Sequence, residues 1–113
     1  MNISKEELEK IVYQKLQKLP EEFKKKLENI EFFVENGESP RLFGLYTGIP
    51  YPDRKTVSYN LILPDKIIIF KKPLEEMCAN TDQVKKKVEE ILYHEIGHYF
   101  GFSEKKLREL HIG

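Results

Sequence analysis

His94-Glu95-Ile96-Gly97-His98 is the stretch of this chain best equipped for chemistry. On a helix, two imidazoles four residues apart lie on one face, about 6 Å apart at Cβ, close enough to grip one metal ion. The carboxylate between them can then hold a water that the metal activates. This pattern points to a zinc-dependent hydrolase, with peptides as the first substrate class to consider.

Two histidines do not complete such a site, because a hydrolytic zinc usually takes three protein ligands and one water. Continuing the pattern gives His94-Glu95-x-x-His98-x-x-Gly101-x-x-Glu104. In the metzincin arrangement, a glycine lets the chain turn sharply so that a residue three positions later returns to the metal. That residue is Glu104 here, which would also open the last helix, where a carboxylate is favoured by exposed N–H groups. An ordinary first-turn glutamate would look the same. Glu109 and His111 are the other downstream candidates. On a continued helix His111 shares a face with Glu104 but lies about 10 Å further along, so both reach one metal only if the tail folds back. Such a tail could occupy the open position and hold the site inactive. Removing His111 to Gly113 tests this, since unchanged activity and metal content would end the idea.

The elements that position these groups can be read from periodicity. Ser4 caps a first helix, predicted from Lys5 to Lys18, with Glu7 completing a capping box. Pro20 opens a second, Glu21 to Glu28, with Phe23 and Leu27 facing inward. Ile30 to Val34 reads as a strand, followed by the turn signal Asn36-Gly37. Leu42 to Tyr46 reads as another strand, in which Gly44 marks a bulge or a close backbone approach. Gly48-Ile49-Pro50-Tyr51-Pro52 is expected to be an extended loop. Tyr59 to Leu63 is a short candidate strand, Pro64-Asp65 a turn, and Lys66 to Lys71 the clearest strand in the chain. Pro73 is expected to start a short helix through Met77. Thr81 is expected to cap a long helix from Asp82 to about Phe100, stopped by Gly101. Ser103 would cap a last helix, Glu104 to Leu110.

The wheel of the long helix sharpens the reading. Val84, Val88, Ile91, Leu92 and Tyr99 form one apolar arc, with Glu95 in its middle and His94 and His98 on its edge. A carboxylate on an apolar arc is costly unless something pairs with it, and a water held by a metal supplies that partner. A purely structural helix would place Leu or Val at position 95. Gly97 costs about 1 kcal/mol relative to alanine in a helix interior. It lets another backbone pack close, away from the histidines.

Composition sets the bounds. The chain has 113 residues, enough for one domain spanning 1–113 and too few for two. Hydrophobic residues make up 40%, so a core is available. Nineteen basic residues balance nineteen acidic ones, which argues against a nucleic-acid partner; Lys24-Lys25-Lys26 and Lys85-Lys86-Lys87 read as solvated helix faces. No apolar run approaches the roughly 20 residues needed to span a bilayer, so no membrane partner is expected. The first residues form a charged helical pattern and not a signal peptide. The single cysteine, Cys78, cannot form an internal disulfide, which suits a reducing cytoplasm. Oligomeric state leaves no mark on the sequence.

The chain resembles the small prokaryotic zincin-like metallopeptidases, minimal single-domain relatives of metzincins. Leu42-Phe43-Gly44-Leu45-Tyr46-Thr47-Gly48-Ile49-Pro50 is similar to that family's Gly-Leu-Tyr-x-Gly-x-Pro stretch. Leu63-Pro64-Asp65-Lys66-Ile67-Ile68-Ile69-Phe70, followed by Pro73-Leu74, is similar to its strand before the active-site helix. His94 through Glu104 is similar to its metal motif. The family usually shows Asp at the position of Glu104, a shorter side chain with the same carboxylate. The resemblance covers roughly the C-terminal two-thirds of the chain. It implies an α+β, minimal zincin-like fold: a small, mostly antiparallel sheet packed against helices, with a long active-site helix near the C-terminus. It also implies Zn²⁺ held by His94, His98 and Glu104, with Glu95 as the general base in hydrolysis of a peptide or protein substrate.

Tyr46, Tyr51, Tyr59 and Tyr99 are candidates to assist the oxyanion, although aromatics mostly serve burial. A substrate could pair as an added strand along Phe43–Tyr46 or Ile67–Phe70. The competing reading is a non-catalytic binding or regulatory module stabilised by zinc. Structural zinc sites are usually closed and often cysteine-rich, and Glu95 has no role in such a module.

Overall fold

The computed structural model describes residues 1–27, 29–48 and 65–101. In chain order the elements are helices α1 (Lys5–Gln17) and α2 (Glu21–Lys26), strands β1 (Ile30–Glu35), β2 (Gly44–Thr47) and β3 (Asp65–Phe70), and helices α3 (Lys71–Met77) and α4 (Thr81–Tyr99). The expected strand at 59–63, most of the proline loop and the terminal helix beyond Ser103 lie outside the described residues.

The strands form one sheet in the order β1-β3-β2. β1 runs parallel to β3, with Ile30 opposite Asp65 and Val34 opposite Ile69. β2 runs antiparallel to β3, with Gly44 opposite Ile69 and Tyr46 opposite Ile67. The sheet is therefore mixed, and the α+β class holds, without the expected antiparallel majority among the described strands. The cause is topological: β3 inserts between β1 and β2, so β1 does not form a hairpin with its successor and meets β3 in the parallel sense.

Alternation decides which face is covered. Ile30, Val34, Ile67 and Ile69 are buried, in phase with one another across the register, whereas Glu31, Phe33, Glu35, Lys66, Leu45 and Thr47 point to the exposed side. α1 covers β1, and α4 lies over β2 and β3. Leu8, Ile11 and Val12 from α1 meet Val84, Val88, Ile91, Leu92 and Ile96 from α4 in one core with the strands. Burying a side chain of this size contributes about 1.5–3 kcal/mol, which fixes how α4 is rolled against the sheet.

The helix ends follow local chemistry. Ser4 Oγ accepts a hydrogen bond from Glu7 N at 3.1 Å, as its sequence position predicts. For α4 the cap is Asn80 and not Thr81: Asn80 Oδ1 accepts from Gln83 N at 2.9 Å, while Gln83 Oε1 accepts from Ala79 N at 2.7 Å. Asparagine is among the best capping residues, so it takes that role and Thr81 becomes the first helical residue. α3 starts at Lys71, two residues ahead of Pro73. Proline is tolerated there because first-turn N–H groups have no intrahelical acceptor. Beyond the last residue of α4 and its cap Phe100, Gly101 turns the chain left-handed at a φ of 83°, and its N–H bonds to the His98 carbonyl at 2.9 Å.

Candidate metal centre

The last two turns of α4 carry the site. Glu95 lies on the buried arc predicted for it and is 8% exposed, and His94 and His98 are half-buried at the arc's edge. Helical pitch stacks the two imidazoles, with ring centroids 4.7 Å apart and planes inclined at 80°. Their Nε2 atoms approach to 3.1 Å. One ligand atom from each of His94, Glu95 and His98 falls within 4.8 Å of the others. Two imidazole nitrogens and a carboxylate oxygen converging in this way form a donor set suited to a divalent metal such as zinc. The predicted Glu104, and the rivals Glu109 and His111, lie outside the described residues.

Gly44 leaves room at the site. A Cβ built there would lie 2.6 Å from Ile91 Cγ2 and 3.4 Å from Glu95 Cγ. Of the two meanings its sequence position allows, close approach is the one realised: β2 sits directly against the helix beside Glu95. The space between them opens as a cleft of about 790 Å³. Leu42, Gly44 and Leu45 line its strand side, with Ile91 and the three site residues on the helix side.

The strand wall is an edge of the sheet among the described residues, since β3 occupies the central position. This chooses between the two edges considered from sequence. Phe70 N donates to Phe43 O at 2.9 Å, so the pair opposite each other there is hydrogen-bonded. By the alternation of antiparallel ladders, the next residue, Gly44, directs its N–H and C=O away from β3.

The tyrosines separate into two groups. Tyr99, 1% exposed, donates from its hydroxyl to the Lys26 carbonyl at 2.7 Å and so ties the end of α4 to α2. Tyr46 donates to Asp65 Oδ2 at 2.5 Å. Tyr51 and Tyr59 lie outside the described residues.

Three features escape a reading of the sequence. Asp65, expected in a turn, instead begins β3 and is fully buried. It is in phase with Ile67 and Ile69, a signal that alternation already contains. Gly48, at φ 150°, packs against the Asp65 carboxylate where a side chain would collide. Lys87 belongs to a run that reads as solvated, yet its Nζ stands 4.8 Å from the centre of the Phe43 ring, and it lines the cleft together with Arg41.

The fold and this donor cluster accord with comparison to known proteins. Residues 16–113 match the model of the zincin-like metallopeptidases. The chain belongs to that family. Among solved structures it is similar to a conserved hypothetical protein from T. thermophilus, with a TM-score of 0.59 and 21% identity over 87% of this chain and 94% of that one. That likeness is one of fold. No curated protein matches the chain. Among the described residues no helix is long and apolar enough to cross a membrane.

Proposed function

We propose that this zincin-like protein is a zinc-dependent peptide hydrolase. The observation that carries the reading is Glu95, a carboxylate on a buried helical arc, within 4.8 Å of two converging imidazoles at the wall of a cleft. A module that used metal only for stability would have no use for an acid in that position.

His94 and His98 would hold the ion, and Glu104 is proposed as the third ligand on the strength of its spacing and the family motif. Zn²⁺ bound there supplies Lewis acidity, lowering the pKa of an attacking water and stabilising negative charge on the carbonyl oxygen. Glu95 accepts the proton of the attacking water and later passes it to the leaving amine. The polar backbone of Gly44 directed to the open edge offers an incoming peptide a place to pair as an added strand. That pairing would lay the scissile bond beside Glu95, because Gly44 is the strand residue that abuts it.

Glu95→Gln is the deciding variant. It retains the metal-binding imidazoles and the side-chain size but cannot take a proton. Zinc content by elemental analysis should match the wild type, while turnover of a broad fluorogenic peptide library should fall by about 10²–10⁴-fold. Equal zinc content with no hydrolysis by either form would replace this reading with a zinc-stabilised binding or regulatory module.

A further inference from the structure

We propose that the cleft selects peptides bearing a carboxylate about three residues beyond the scissile bond, on the leaving-amine side, and that Lys87 and Arg41 read it. The proposal rests on the hydrolase reading for the position of the scissile bond.

The polarity of the cleft follows from how β2 lies against α4. Lys87 stands over Phe43, the place of a Gly44 Cβ meets Ile91 and Glu95, and the Tyr46 ring packs edge-on against Tyr99 at 6.1 Å. Strand and helix thus progress in the same direction along the cleft. β2 already pairs antiparallel with β3, and antiparallel pairing is the slightly more stable kind. A peptide added antiparallel to the open edge therefore points its C-terminal end towards Phe43, Lys87 and Arg41. The backbone of Lys87 lies two helical turns before that of His94, about 10 Å along the axis, and on the strand side Arg41 precedes Gly44 by three residues. An extended chain covers that in about three residues.

The charge at that end is selective. Among the described residues that line the cleft with Lys87 and Arg41 the acids are Glu90 and Glu95, and Glu90 Oε2 is 3.6 Å from Lys87 Nζ. That half-exposed pair is weak and readily exchanged for a substrate carboxylate. Among the described residues no acid pairs with Arg41. The neighbouring Lys85 and Lys86 are exposed, whereas the Lys87 side chain is half-buried and held over the Phe43 ring. A cation fixed over an aromatic face loses less freedom on binding.

The test uses the full chain loaded with zinc and amidated peptides of one sequence carrying Asp, Asn or Lys at the third position beyond the cleavage point. A further pair of peptides ends at that position, as free acid or as amide, to separate a side-chain carboxylate from a terminal one. Binding is read by fluorescence anisotropy on the Glu95→Gln form, and cleavage on the wild type. The Asp peptide should bind and be cut about tenfold better than the Lys peptide, with Asn between them. Lys87→Glu should invert the order, Lys87→Gln and Arg41→Gln should flatten it, and Lys85→Glu should leave it unchanged. Equal handling of the three peptides, or an order that Lys85→Glu shifts as much as Lys87→Glu, overturns the proposal. Charge-dependent binding that needs Lys87 without turnover of any peptide would leave the selectivity standing and remove the hydrolase reading. Turnover indifferent to charge would do the reverse.

Discussion

At the scale of single residues, the tightest constraint on the site is a missing side chain. Gly44 lets β2 approach α4 until a methyl group would collide with Ile91 and crowd the Cγ of Glu95. Gly44→Ala should cost about 1–3 kcal/mol in urea unfolding, as overpacking does, because strand and helix must move apart. The same displacement should lower peptide turnover while His94 and His98 still bind metal, and an unchanged midpoint with full turnover would contradict the close approach. The sequence signals at this scale are uneven. The pentad is legible because helical pitch converts its spacing directly into geometry, and the apolar residues flanking Glu95 show that it is buried. The Tyr46–Asp65 hydrogen bond is not legible, because it joins residues brought together only by the β2–β3 register. The partnership of Lys87 with Phe43 is hidden for the same reason: a lysine run looks solvated until the element facing it is known.

At the scale of elements, α4 carries every described donor of the site, so their mutual spacing depends on one helix and not on how several elements are docked. What docking does determine is the strand wall. Sequence patterning locates both strands of that wall within a residue or two but leaves open which is an edge, since pairing order is a long-range property. It misplaces the start of α4 by one residue because Asn80 and Thr81 are both good caps, and only backbone geometry separates them. Cys78 closes α3 against α4 and is 6% exposed. Burial pushes its thiol above the ordinary range, and Lys87 and the N-terminal ammonium only partly oppose that shift. The native state therefore holds the proton longer than the unfolded chain does. The stability from this difference is fully present below the unfolded thiol's pKa and is lost as pH rises through the folded value. Iodoacetamide should modify Cys78 slowly at neutral pH in the native protein and rapidly in urea, and equal rates would show that the α3–α4 junction opens freely.

At the scale of the whole molecule, a metal held by the donor cluster at the end of a core helix would link its binding to folding. An ion that binds the folded chain alone stabilises it by about 2.7 kcal/mol at a hundredfold excess over its dissociation constant. Chelation should accordingly lower the thermal midpoint by several degrees, and adding zinc back should restore it. His98→Ala should lack that restoration, and a midpoint indifferent to zinc in the wild type would remove the link. The parallel pairing of β1 with β3 has a different consequence, one of timing. β1 is made early, yet the strand that pairs with it follows only after β2 and the chain beyond it have been synthesised. Long-range parallel contacts of this kind form slowly. α4 comes later still, so as the chain leaves the ribosome, Ile67 and Ile69 are exposed before their helical cover exists. The helix that carries His94, Glu95 and His98 is thus also the last described piece of the core to arrive, and the apolar face of β3 waits uncovered until those residues have been made.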